Sequence, residues 1–238
     1  MTVEAKIGGG AGAGAEVELW LVDARVPQPA LDLELLDAAE RERAARFLHE
    51  SDRVMYEVAH AALRTVLAAR TGLPAAGLRF EREPCPCCGE LHGRPRLAAG
   101  AVPTPLPAFS LSHGGGLVLI GVAPDTTPIG VDVEALPSAE TARETAVSLH
   151  PAEQAEFALH PDGAAPAAFA RIWTRKEAYL KALGTGLGRN LAADYLGDDP
   201  AALPPGWTVT TVQVGPSHAA AFALATPGAT FTLRESFT

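Results

Sequence analysis

The segment Ile129-Gly130-Val131-Asp132-Val133-Glu134 alternates apolar and polar positions, the pattern of a strand with one face in a core. Side chains at i and i+2 share a face of an extended chain, so Val131 and Val133 turn inward while Asp132 and Glu134 project together. Two carboxylates side by side repel each other unless a cation, a lysine or an arginine joins them. Hard oxygen donors at this spacing suit Mg²⁺. A solvated strand face would carry the same letters, so the motif needs partners elsewhere in the chain.

Outward from this strand the chain falls into two similar stretches. Upstream, residues 16–22 alternate as a strand. Residues 31–70 read as helical, with Asp37 as an N-cap and Gly72 and Pro74 as the stop. Residues 78–83 read as a short strand. Residues 109–112 and 117–122 read as a strand pair about Gly114–Gly116. Downstream, helical patterns cover 139–149, 151–159 and 167–183, and strands are expected near 207–214, 219–225 and 230–234. The order strand, helices, strands then occurs twice, which predicts an α/β (α+β) protein. Residues 16–125 form an N-terminal half and 126–238 a C-terminal half, preceded by a flexible Gly/Ala tail over 1–15.

Composition narrows the function. The 238 residues are 47% hydrophobic and 20% charged, which excludes disorder for most of the chain. The net charge is −9, so a general nucleic-acid binder is not expected. The apolar runs are too short for a membrane span, and the N-terminus has no apolar stretch of signal-peptide type; a cytoplasmic protein is expected. The 19 basic residues include just three lysines, Lys6, Lys176 and Lys181, and two of them lie close together.

Those two sit in Trp173-Thr174-Arg175-Lys176-Glu177-Ala178-Tyr179-Leu180-Lys181. On a helix Trp173, Glu177 and Lys181 share one stripe. Glu177 can supply a third metal oxygen and Lys181 a point charge for a phosphate, while Lys176 lies about 100° round the helix. An exposed Glu–Lys pair is the plainer reading. A third segment, Phe109-Ser110-Leu111-Ser112-His113-Gly114, puts Ser112 and His113 at a strand end, where both can donate to a phosphate. It is not a serine-hydrolase elbow: that turn needs G-x-S-x-G, and Ser110 stands two before Ser112.

Taken together these segments resemble the phosphopantetheinyl transferases. The paired signature G-[IV]-D-[IV]-E and W-x-x-K-E-[AS]-x-x-K is complete here, and Ser110–His113 and Gly93-Arg94-Pro95 resemble the larger, Sfp-type members. The resemblance implies a pseudo-dimer of two α/β halves, each a small antiparallel sheet packed with helices. It implies transfer of the phosphopantetheine arm of coenzyme A to a serine of an apo carrier protein, with release of adenosine 3',5'-bisphosphate. The carriers would belong to fatty-acid, polyketide or nonribosomal peptide synthases, and the enzyme would be a monomer. Asp132, Glu134 and Glu177 would hold Mg²⁺, or Mn²⁺ in its place. Lys176 and Lys181 would add positive charge around the phosphates, and Ser112 and His113 would bind the nucleotide phosphates. Arg94 stands where the family usually has lysine; Arg53 and Arg43 resemble basic contacts of the N-terminal half. Glu153 matches a position proposed as the acceptor of the serine proton, with Glu156 as its rival. A metal-dependent phosphohydrolase and a non-catalytic module that binds coenzyme A or the carrier are the other readings.

Two features stand outside the resemblance. Cys85, Cys87, Cys88 and His92 form a tight loop that reads either as a zinc ligand set or as a reduced, exposed loop. The acidic charge would repel an acidic carrier, so docking calls for a local apolar patch, with Phe157, Phe169 and residues 184–187 as candidates.

Overall fold

The computed structural model of the chain describes residues 15–98, 105–235 and 237, so all but the last residue of the expected tail lies outside it. In chain order come β1 (Glu16–Asp23), α1 (Ala38–Ala44), α2 (Glu50–Thr71), β2 (Phe80–Arg82), β3 (Pro95–Leu97), β4 (Phe109–Gly114) and β5 (Leu117–Val122). Then follow β6 (Ile129–Ala135), α3 (Ala139–Ala146), α4 (Pro151–Ala158), α5 (Ala165–Leu183), β7 (Thr208–Val212), β8 (His218–Leu224) and β9 (Thr230–Arg234). This is a mixed α/β fold of small, largely antiparallel sheets packed with helices. No helix among the described residues is long and apolar enough to cross a membrane.

One sheet runs β4-β5-β1-β9, a second β6-β8-β7, and β2 and β3 pair as a separate hairpin. In the first two sheets the second strand of a hairpin lies beside the strand that opened the stretch: β5 beside β1, β8 beside β6. The C-terminal strand β9 returns to the first sheet and pairs parallel with β1, Leu19 opposite Leu233.

The period of two in the strands builds the layers. On β5, Val118, Ile120 and Val122 face α2, where they meet Val58, Ala62, Leu63 and Val66. Leu117 and Leu119 face the other way, onto Ile129, Val131 and Val133 of β6 and Phe222 and Leu224 of β8. On β8, Ala221 and Ala223 point out to α5, against Ala178 and Ala182. The order is therefore helix, sheet, sheet, helix, and β5 reads as an unbroken apolar run because both its faces are covered.

Helix α5 comes unusually near its sheet. The residues opposite Gly130, Asp132 and Glu134 on β8 are Ala223, Ala221 and Ala219, so the whole face is built from small side chains and two carboxylates. A Cβ on Gly130 would lie 1.9 Å from the Ala178 carbonyl oxygen. Glycine is required there by the close approach of the α5 backbone.

The expected long helix over 31–70 is broken. Asp37 does cap a helix, with Glu40 completing a capping box, but α1 ends at Ala44 and α2 starts after an extended His49. The cause lies in Arg64, fully buried on α2. Its guanidinium meets Glu40 Oε2 at 2.8 Å and Asp37 Oδ2 at 2.9 Å, folding α1 back onto α2. Strand β3 begins at Pro95, in a stretch where no strand is expected; proline is tolerated at the first residue of a short edge strand.

Candidate active site

Beneath α5, the carboxylate face of β6 meets the end of β4. The two strands belong to different sheets and are stitched by Ser110, whose Oγ accepts the Val131 N–H at 3.0 Å. Ser112 lies two residues on, on the same face. Its hydroxyl donates to Asp132 Oδ1 at 2.8 Å. From the last turn of α5, Lys181 Nζ donates to both, at 2.6 Å to Asp132 Oδ1 and 2.8 Å to Ser112 Oγ. A triangle of β4, β6 and α5 side chains results.

Asp132 is 1% exposed, and its second oxygen, Oδ2, is buried with no hydrogen-bond partner. An orphaned carboxylate oxygen costs free energy unless something positive answers it. Around it, burial and then the charge of Asp132 push the Glu134 carboxyl up to about 7, although Lys181 draws it down. Burial and Asp132 likewise raise Glu177. Three acidic groups thus share a crowded site with Lys181 as their cation. All are hard oxygen donors, and the set fits a divalent ion such as Mg²⁺. The three are not drawn to within 4.8 Å of one another; among the described residues that spacing is reached by Cys85, Cys88 and His92.

The other expected residues divide. His113, next to Ser112, has an exposed outer edge; burial of the rest and then the charges of Lys181, His60 and Arg43 push its imidazole below the ordinary value. Arg43 is therefore near this rim, and its guanidinium lies 5.8 Å over the Tyr56 ring. Arg94 donates to Glu83 at 2.8 Å and to the Ala182 carbonyl, near the C-terminal end of α5, at 3.1 Å. Arg53 is ion-paired to Glu50 and Glu57 on its own helix.

Lys176 and Glu153 are brought to each other and not to the carboxylate face. Lys176 is 1% and Glu153 0% exposed, and they pair at 2.9 Å. Lys176 also donates to the Leu191 and Asp194 carbonyls at 2.8 and 2.7 Å. Glu153 accepts the N–H groups of His150 at 2.9 Å and Leu196 at 2.6 Å. Both its oxygens are engaged and the side chain is wholly buried, away from the carboxylate face of β6. Glu156 accepts from the Tyr195 hydroxyl and from the Asp198 N–H at 3.1 Å. Phe157 and Phe169 are buried against each other, so neither offers a docking surface, whereas Leu187 is 66% exposed. The linking part played by Ser110 is not among the expectations above; its i, i+2 relation to Ser112 is the signal the residues carry for it.

Residues 128–205, which contain both acidic motifs, match the family model of the 4'-phosphopantetheinyl transferase superfamily. The chain is 30% identical over 217 residues to the 4'-phosphopantetheinyl transferase HetI of Nostoc sp., across 88% of each chain. It is 29% identical over 153 residues to a 4'-phosphopantetheinyl transferase of Bacillus subtilis, covering 64% of this chain and 62% of that protein. It is 27% identical over 180 residues to an L-aminoadipate-semialdehyde dehydrogenase-phosphopantetheinyl transferase of Xenopus laevis, covering 72% of this chain and 54% of that protein. With likeness along nearly its whole length and both acidic motifs inside the matched segment, the chain belongs to the 4'-phosphopantetheinyl transferase superfamily and is an enzyme of that kind.

Proposed function

We propose that this enzyme moves the 4'-phosphopantetheine arm of coenzyme A onto a serine hydroxyl of an apo carrier protein and releases adenosine 3',5'-bisphosphate. The observation that carries the reading is Asp132, buried with Oδ2 unpartnered and sharing its surroundings with two carboxylates whose ionisation is suppressed. Asp132, Glu134 and Glu177 are the residues that would hold Mg²⁺, or Mn²⁺ as a substitute. A divalent ion bound there would neutralise charge on the pyrophosphate and its leaving group.

The chain's own groups supply the rest. Lys181 uses two of its three ammonium protons on Asp132 and Ser112, leaving one for a phosphate oxygen. His113 has its pKa lowered, so it meets a phosphate as a neutral N–H donor near pH 7. Arg43 adds positive charge at that rim. Arg94 sits against the end of α5, placed to contribute a second cationic contact. Glu153 and Lys176 act as positioning residues: their pair fixes α4 and the 191–196 loop to α5. The division into halves 16–125 and 126–238 is supported by their matching strand order, with β9 as the return to the first sheet. The Sfp-type placement rests on that duplication within one chain.

An intact-mass assay tests the reaction. An apo carrier domain is mixed with the enzyme, coenzyme A and Mg²⁺, with and without EDTA. The reading expects a gain of one phosphopantetheine on the carrier, abolished by EDTA. Cleavage of coenzyme A with the carrier unchanged would replace it by a phosphohydrolase. Intact coenzyme A and unchanged carriers of several types would replace it by a binding module.

A further inference from the structure

The loop between β2 and β3 carries Cys85-Pro86-Cys87-Cys88-Gly89-Glu90-Leu91-His92, which the transfer reaction leaves unexplained. All three cysteines are free thiols. Cys85, Cys88 and His92 each bring a ligand atom within 4.8 Å of the other two, and Cys88 Sγ lies 3.0 Å from His92 Nε2.

The backbone holds this arrangement. Gly89 N–H donates to the Cys85 carbonyl at 2.8 Å, Cys85 N–H to the Glu90 carbonyl at 2.7 Å, and His92 N–H to the same carbonyl at 2.8 Å. Gly89 has a φ of 78°, the left-handed turn that folds the loop back beside Cys85. Cys85 is buried while Cys88 and His92 are exposed, so the cluster has a fixed floor and an open rim through which an ion can enter.

Two thiols and an imidazole are soft and borderline donors, unlike the oxygens beneath α5, and they select zinc over magnesium. A tetrahedral Zn²⁺ at 2.0–2.3 Å from its ligands spaces them roughly 3.5–3.8 Å apart. In the cluster Cys88 Sγ and His92 Nε2 are 3.0 Å apart and every pair lies within 4.8 Å, so small side-chain shifts bring the three to that spacing. Cys87 is outside it: its Sγ stands over Gly188, 3.8 Å from where a Cβ on that residue would be.

We propose that Cys85, Cys88 and His92 bind one Zn²⁺, with solvent in the fourth position. The ion closes the loop two residues before Arg94. It thereby anchors the hairpin whose Arg94 side chain reaches the Ala182 carbonyl.

The test is a Co²⁺ titration of the reduced, metal-free full-length protein, read by absorption and followed by displacement with Zn²⁺. One Co²⁺ per chain is expected to give the d–d bands of a tetrahedral ion and sulfur-to-cobalt charge transfer, both removed by Zn²⁺; an ion among the oxygens beneath α5 would give no charge-transfer band. Cys88→Ser and His92→Ala change exposed side chains, so the fold, checked by circular dichroism, should survive. Each should weaken binding by at least about 100-fold. Cys87→Ser and Glu177→Gln should leave the spectrum unchanged. Absence of the charge-transfer band in reduced protein would overturn the proposal. So would its loss in Cys87→Ser or Glu177→Gln, or its persistence in Cys88→Ser.

Discussion

Lys181 Nζ stands 2.6 Å from Asp132 Oδ1, joining the last turn of α5 to the middle of β6. Ser112 shares that oxygen at 2.8 Å, which leaves Oδ2 as the unanswered side of the carboxylate. The lysine therefore balances one edge of an acidic cluster and leaves its other edge for a cation. Glu177, one helical turn before Lys181, is the third carboxylate proposed for that cation.

Glu177→Gln keeps the size of the side chain and removes its charge. Transfer to a carrier, followed by intact mass, should fall by at least about 100-fold. The thermal midpoint should stay within about 3 °C of wild type, since the residue is only half-buried and a raised pKa already taxes its ionised form.

The buried pair Lys176–Glu153 should behave differently. Lys176→Met or Glu153→Gln alone leaves a charge without its partner, at a cost of about 3–5 kcal/mol in urea unfolding. The double variant should lose less than the sum of the two, by 1 kcal/mol or more in order of magnitude. Additive losses would show that the ion pair does not couple them.

Gly130→Ala probes the contact between α5 and β6. The added methyl would meet the Ala178 carbonyl at 1.9 Å, and the helix must move to admit it. A loss of stability of about 3 kcal/mol or more is expected, with transfer impaired even where the fold persists, because Glu177 and Lys181 would move with the helix.

Acid stability should depend on Glu40. Burial alone would raise its carboxyl, but hydrogen bonds from His60 and Arg64 win and hold it at about 2, against an ordinary 4.5. A depressed carboxylate stabilises the fold above its unfolded pKa and loses that contribution as pH falls through the folded one. The window is therefore pH 4.5 down to about 2, and the loss is up to about 3 kcal/mol. Glu40→Gln should flatten the stability curve in that window when unfolding is followed against pH.

The sequence displayed the carboxylate face in full. The alternation over Ile129–Ala135 placed Val131 and Val133 in the core and Asp132 and Glu134 opposite them. The i, i+4, i+8 spacing placed Glu177 and Lys181 on the stripe that meets them. Ser112 was visible as a residue at the site but not as a donor to Asp132, because that contact joins strands of two different sheets. Lys176 was not legible: its acceptors are backbone carbonyls in the 191–194 loop, and a carbonyl leaves no mark on residue identity. The break before α2 was hidden for a similar reason. It is imposed by Arg64, whose carboxylate partners lie more than twenty residues upstream. Nothing in the strand pattern of residues 230–234 told that β9 would run parallel to β1.

The most direct test of the account is a Mn²⁺ titration by electron paramagnetic resonance, with coenzyme A present, on wild type and Glu177→Gln. Thiolates take up Mn²⁺ poorly, so the cysteine loop does not compete. The account predicts one Mn²⁺ site in wild type, weakened at least about tenfold in Glu177→Gln. Equal affinity in the two proteins would contradict the assignment of Asp132, Glu134 and Glu177 as the metal-binding carboxylates.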